Sequence, residues 1–384
     1  MTVLPRLSRP VAAFLLGLAV AGPAAAACPD GGGLTLLHFN DFHGQLGPEP
    51  SDAGRGARGG IARLATAVAR VRAEDPPRPV VLLFAGDLLQ GTLTSSLFLG
   101  IPDITLFGRM GVDAAVMGNH ELDYGQDVFR RLLQQADFPV LAANVIAQPE
   151  PFPTRSSLLI AKPGGPTLGI LGLTTAELTT ATHPRNAVGI SVSDPEQVAR
   201  ERLPELRAQA DLVVVLSHLG LAEDRQLAGE IPGIDLVVGG HNHFVLDEPM
   251  MVGDVPILQA GERGRWLGRL DIGCRDGRPV RTGYRLMAVD ASVTPDPEIA
   301  AEVDRIVAQA EAGLSEVVGR TDVELSAARE LIRRTEAVFG DYVADLAREI
   351  TRADIALFNA GSFRASIPVG DVTLKQNLPG VPLP

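Results

Sequence analysis

Asp41, His43, Asp87, Asn119, His218, His241 and His243 share a setting: each lies in a short polar, glycine-containing cluster directly after an apolar run. The clusters read NDFHG, GDLLQG, GNHELD, SHLG and GHNHF, and GNHELD adds His120 and Asp123, so five of the seven histidines fall inside them. Imidazole is the side chain most used to bind metals. A donor set of carboxylate, imidazole and amide without thiolate suits Zn, Mn, Fe, Co or similar divalent ions rather than a structural cysteine site. The Asp-x-His and His-x-His spacings place alternate residues on one side of an extended strand end, where such a pair can grip one ion. Two ions could then share one carboxylate. His38 and His183 lie outside the clusters and read as packed or solvent-facing imidazoles.

Chemistry of this kind needs a rigid frame, and the preceding runs supply one. LTLLHF (34–39), PVVLLFAG (79–86), AAVMG (114–118), PVLAANV (139–145), TLGILGL (167–173), DLVVVLS (211–217), IDLVVGG (234–240) and VPILQAG (255–261) read as strands. Most are continuously apolar, as expected for strands covered on both faces. Between them GGIARLATAVARVRAED and DPEQVARERLPELRAQA carry apolar residues at helical spacing. The alternation predicts an α/β or layered α/β/β/α domain whose site lies at the ends of the strands. Pro295 and Pro297 mark a linker and the start of another helix.

Composition bounds the function. Of 384 residues 46% are hydrophobic and 21% charged, which predicts a packed globular protein. The net charge of -12 argues against a nucleic-acid polymer or an anionic membrane surface as partner. A small anion could still bind beside metal ions. At the N-terminus, Arg6 and Arg9 precede the apolar run VAAFLLGLAV and the small-residue stretch AGPAAAAC, the pattern of a cleaved signal peptide over 1–27. The run is too short for a permanent membrane span. These features predict a periplasmic or secreted protein. The rival reading, a lipoprotein anchored through Cys28, lacks the usual Leu three positions earlier. Cys274 is the only other cysteine, so an oxidising compartment permits a Cys28–Cys274 disulfide.

Taken together, NDFHG, GDLLQG, GNHELDYG, SHLG and GHNH, with GGIARL after the first and QAGERGRWLGRLDI after the last, resemble the exported 5'-nucleotidase family of the calcineurin-like metallophosphatases. The resemblance implies a four-layer α/β/β/α metallophosphatase sandwich over 28–293, a linker and connecting helix over 294–325, and two bound divalent ions. Asp41, His43, Asp87 and His243 would hold one ion; Asp87, Asn119, His218 and His241 would hold the other, with Asp87 bridging. His120 would stand beside the pair without being a ligand, kept protonated by Asp123. Glu121 is either a carboxylate favoured at a helix start or a contact behind the ligands. The implied reaction is hydrolysis of a nucleoside 5'-monophosphate to nucleoside and phosphate by a metal-bridging hydroxide, with His120 serving the leaving group. The alternatives are a broad-specificity phosphoesterase, a 2',3'-cyclic-nucleotide phosphodiesterase, a sulfur-ester hydrolase on the same scaffold, which the QAG and Asn-x-Gly-x-x-Arg motifs count against, and an inactive metal- or nucleotide-binding exported protein.

Residues 333–373 resemble the opening of the family's C-terminal 5'-nucleotidase domain. Arg334, Thr335, Glu336, Gly340 and Asp345 match its first helix, and Asn359, Gly361 and Arg364 match an Asn-x-Gly-x-x-Arg turn that faces the substrate. The insert reads AGSF where the family usually has GGGI, and Arg364 has the alternative reading of a surface turn residue. After DVTLKQNLP the chain departs from the family and no aromatic follows Phe363. The expectation is an incomplete C-terminal α/β domain over 326–384 that lacks the aromatics used for base stacking and cannot complete its own core.

Overall fold

The computed structural model describes residues 28–49, 56–74, 76–312, 314–363 and 365–374. The proposed signal segment and Arg364 lie outside the described residues.

Two six-stranded sheets face each other. In the first the order is β14 (Arg278–Ala288), β13 (Trp266–Arg275), β1 (Gly33–Phe39), β2 (Val80–Phe84), β3 (Ala114–Val116), β4 (Val140–Leu141). The second runs β11 (Met250–Val252), β12 (Val255–Leu258), β10 (Leu236–Val238), β9 (Leu212–His218), β7 (Leu168–Thr174), β6 (Ser157–Ile160). Two small antiparallel pairs complete the strands: β5 (Val145–Ala147) with β8 (Ile190–Val192), and β15 (Val317–Thr321) with β16 (Gly370–Thr373).

The continuously apolar strands owe their pattern to this layering. All seven residues of β1 are buried. Leu34 and Leu36 point into the core between the sheets, with Val81, Leu83, Val214 and Leu216. Leu37 and Phe39 point outward into a second core. There they meet α1 (Ile61–Arg72), α3 (Ile101–Met110) and α4 (Gln126–Gln135), with the short α2 (Leu93–Phe98) alongside. Over the other sheet, beyond the one-turn α5 (Leu178–Ala181), α6 (Pro195–Arg207) and α7 (Leu221–Glu230) cover Val213, Val215 and Val237. The result is an α/β/β/α sandwich. The helix expected after Pro295 is α8 (Pro297–Glu311), capped by Asp296 and burying Ile299, Val303 and Ile306 in the second core, with Leu37 and Phe39.

Two local expectations are corrected. The strand expected over 139–145 is broken into β4 and β5, because the chain leaves the sheet at Ala142 and Asn144 turns its amide onto both polar atoms of the Thr174 backbone. The hairpin β13–β14 is an addition, and β13 lies against β1 in antiparallel register. A disulfide joins Cys28 to Cys274 with Cα atoms 5.5 Å apart, beside the Gly33–Gly273 pairing.

The C-terminal segment holds α9 (Arg329–Ile332) and α10 (Val338–Thr351) on the β15–β16 pair. Among the described residues its own core is Leu325, Phe339, Phe363, Ile367 and Val372. Val338, Tyr342, Leu346 and Ile350, four residues apart along α10, are all exposed.

Candidate metal centre

Parallel strands deliver most of the clusters to one edge. β1, β2 and β3 are adjacent and parallel, as are β9 and β10, so the segments following them emerge at the same end of the sandwich. The backbone then turns sharply. Asp41, His43, Asp87, His241 and His243 all adopt positive φ, between 51° and 77°. This conformation strains a side chain with a Cβ by roughly 1–3 kcal/mol, and such residues cluster at functional sites. The first two loops hold one another beyond the strands: Asp41 N donates to Gly86 O at 2.9 Å and His43 N to Asp87 O at 3.1 Å.

Three imidazoles of the centre are each aimed by one ring nitrogen. His218 Nδ1 is 2.7 Å from Ala85 O, His43 Nδ1 is 3.1 Å from Gln90 O, and His243 Nδ1 is 3.0 Å from Glu262 Oε2. The opposite nitrogens converge. His43 Nε2 lies 3.1 Å from His243 Nε2, which is 3.4 Å from Asp41 Oδ1. His218 Nε2 lies 3.1 Å from Asp87 Oδ2, and His241 Nδ1 lies 3.0 Å from Asn119 Oδ1. Asp41, His43 and His243 thus form one ligand-sized group, Asp87, His218 and His241 another, and His43, Asp87 and His120 a third between them. The expectation that one His-x-His pair grips one ion is therefore corrected. With both residues in left-handed backbone, His241 and His243 diverge and enter different groups.

His120 follows in a single 3-10 turn, His120–Leu122. Its Nδ1 is 2.6 Å from Asp123 Oδ2, and its Nε2 is 4.0 Å from Asp87 Oδ2. Its backbone N–H donates to Asp87 Oδ1 at 3.0 Å. Glu121 resolves into a contact behind the ligands: it accepts Leu88 N at 2.6 Å and Gly118 N at 2.8 Å. Asn359 and Gly361 make their contacts within the C-terminal segment, where Asn359 Oδ1 accepts Gly361 N at 3.0 Å.

Electrostatics mark the centre as a place for cations. Burial pushes Asp87 up, but His218 and His120 outweigh it and hold the carboxyl well below the ordinary carboxylate range. Burial alone would lower His218, but the adjacent Asp87 carries it up to about 10. His243 rises to about 9, since its contacts with Asp41 and Glu262 outweigh burial. Burial lowers His43 to about 3, leaving it a neutral donor. Metal binding at His218 and His243 would require their ligating ring nitrogens to be free of protons. The residues fit such ions on two further observations. His218 Nε2 is fully buried and, although beside Asp87, has no aligned hydrogen-bond partner. A Cβ on Gly118 would fall 2.2 Å from Asp87 Oδ1, so the backbone approaches the carboxylate as closely as chemistry allows.

Residues not proposed as ligands complete the frame; Asn40, Asn242 and Gln259 fall inside the quoted motifs, but their partners cannot be read there. Asn40 accepts Ala260 N at 2.8 Å and donates to Gly261 O and Asp41 Oδ2. Asn242 Oδ1 accepts Leu221 N at 2.6 Å. Buried Gln259 bonds both Gly240 O and Phe244 N.

A sandwich with carboxylate, amide and imidazole donors gathered at its strand ends defines a hydrolase of the metallophosphatase class. Residues 34–245 match the calcineurin-like phosphoesterase family and residues 317–382 the 5'-nucleotidase C-terminal domain. The chain belongs to the calcineurin-like phosphoesterase family, in its 5'-nucleotidase branch. It is 30% identical to the trifunctional nucleotide phosphoesterase protein YfkN of Bacillus subtilis, over 91% of this chain and 26% of that protein. It is 29% identical to the 5'-nucleotidase of Homo sapiens, over 89% and 63%. The crystal structure of a 5'-nucleotidase precursor from Thermus thermophilus superimposes with a TM-score of 0.80 at 30% identity, covering 91% of this chain and 74% of that one. The chain thus spans 26% and 63% of the lengths of those two curated relatives.

Proposed function

We propose that the protein is an exported hydrolase that converts nucleoside 5'-monophosphates to nucleoside and phosphate at a centre of two divalent ions. The observation that carries this reading is the convergence of the Asp41–His43–His243 and Asp87–His218–His241 groups at one strand edge. In this proposal Asp41, His43, Asp87 and His243 hold one ion, and Asp87, Asn119, His218 and His241 the other. The ions supply Lewis-acid polarisation of the phosphoryl group and activation of water. Asp123 holds the His120 ring through Nδ1, leaving Nε2 to face the centre and donate a proton toward the departing ester oxygen. Asp87 fixes the backbone of that same His120, so ligand and acid are positioned as a unit.

The relatives' names support nucleotide substrates, and Asn359, Gly361 and Arg364 are the residues proposed to meet them. A second reading, a phosphoesterase of broad specificity extending to 2',3'-cyclic nucleotides, is favoured by one observation. Every proposed metal ligand lies between Asp41 and His243, whereas the described contacts of Asn359 and Gly361 stay within the C-terminal segment. Export is supported by the Cys28–Cys274 disulfide, which suits an oxidising compartment and occupies the thiol that lipid attachment would need. No helix among the described residues is long and apolar enough to cross a membrane.

The test is phosphate release by the full chain with Mn2+, Zn2+ or chelator, comparing AMP, a 2',3'-cyclic nucleotide and p-nitrophenyl phosphate. Metal-dependent release with preference for AMP is the expected result. Equal turnover of AMP and p-nitrophenyl phosphate would favour the broad reading, and no turnover by folded, metal-loaded protein would overturn both.

A further inference from the structure

His241 and His243 belong to different donor groups although only Asn242 separates them. The loop between them therefore bears on the distance between two ions as well as on the affinity of each. It is anchored at four points by side-chain atoms, one of them the Asp41 carboxylate, which accepts His241 N at 3.0 Å. Gln259 Nε2 donates to Gly240 O at 2.6 Å, before the first imidazole, and Gln259 Oε1 accepts Phe244 N at 2.5 Å, after the second. One amide thus spans the whole tripeptide. Between those points Asn242 Oδ1 accepts Leu221 N, an approach that requires Gly220, where a Cβ would meet that oxygen at 2.6 Å.

The chemistry of this clamp is specific to an amide. Gln259 is fully buried, on the loop leaving β12, and its donor and acceptor are both used on main-chain groups. The β10–β12 ladder ends at Val238 and Leu258; beyond it an isolated bridge pairs Val245 with Ala260 and Gly261 N donates to Phe244 O at 2.8 Å, which leaves Gly240 O and Phe244 N to the Gln259 amide. Asn40 locks the base of the clamp by accepting the N–H of Ala260, the next residue along.

We propose that Gln259 is a positioning residue that sets the separation of the His241 and His243 imidazoles, and through it the spacing of the two metal ions. It touches neither substrate nor ion. The proposal rests on the dinuclear reading above, so the experiment begins by testing that reading in the wild-type chain.

The full chain is titrated with Co2+, following the ligand-field absorption and the magnetic coupling between bound ions, beside Gln259→Met and Gln259→Glu. Met keeps the length and removes both hydrogen bonds; Glu keeps the acceptor for Phe244 N and removes the donor to Gly240 O. Ten- to hundredfold weaker loading of both ions and altered coupling are expected for Met, with a smaller change of the same kind for Glu. A purely structural role would lower the melting temperature of metal-free protein and leave the coupling of the loaded protein unchanged. Should Met fail to fold, Glu decides alone. A folded variant with wild-type affinities and coupling overturns the role of Gln259, whereas a wild-type chain that takes up no coupled pair overturns the dinuclear reading instead.

Discussion

His120 is held from two sides, by Asp123 through its ring and by Asp87 through its backbone N–H. Its ring nitrogen Nε2 remains 4.0 Å from Asp87, farther than the 3.1 Å of His218. In the proposed function this difference assigns His120 as the acid and His218 as a ligand. His120→Asn should therefore retain both ions by elemental analysis while kcat falls about 10²–10⁴-fold, whereas Asp87→Asn should lose metal and activity together. Loss of metal from the His120 variant would make it a ligand. At this scale the sequence was informative where a residue type carries its own chemistry. Carboxylates and imidazoles after apolar runs could be picked out directly, and Asp123 was reachable from His120 by spacing alone. The roles of Asn40 and Gln259 could not be, although both sit inside the motifs, because an amide serves a backbone bond as well as a metal and Asn40 finds its partner 220 positions away.

Between neighbouring elements, the loops are joined by side chains rather than by the sheet. Glu121 is the plainest case, since its two oxygens take one N–H from the loop after β2 and one from the loop after β3. Burial, with Asp87 nearby, pushes its carboxyl up to about 7, so it occupies a costly position that its two donors justify. Glu121→Ala would leave Leu88 N and Gly118 N buried and unpaired. A loss of about 1–3 kcal/mol per group is expected in urea unfolding of metal-free protein. A variant as stable as the parent would show that water replaces the carboxylate without cost. The strands themselves were legible because double burial makes them continuously apolar. The hairpin β13–β14 was not, since β14 alternates exposed Arg278, Arg281 and Arg285 with partly covered residues and resembles a polar connection. The break after β4 was hidden for a different reason: it depends on Asn144 reaching Thr174, a tertiary contact.

Over the whole molecule stability is unevenly distributed. Among the described residues the sandwich is built on three extensive cores, while the C-terminal segment rests on a cluster of five buried residues and exposes an apolar stripe along α10. A small core supports little free energy. Hydrogen exchange of the full chain should show amides of α10 opening well before those of β1, β2 and β9, and equal protection would mean that the segment draws stability from elsewhere. Its helix was legible from sequence, but its function was not, since Asn359 and Gly361 are engaged with one another. In the sandwich, β1 leads directly to Asp41 and His43 and is flanked by β2 on one side and by β13 on the other, and the disulfide beside it closes a separation of 246 residues. β1 has both of its neighbours only once residues 266–275 are available, so framing the first donor group draws on segments far apart in the chain. A centre framed in that way takes its ions where folding finishes. For an exported chain that place lies outside the cytoplasm, and the supply of metals there, rather than the donor set, would decide which ions the protein carries.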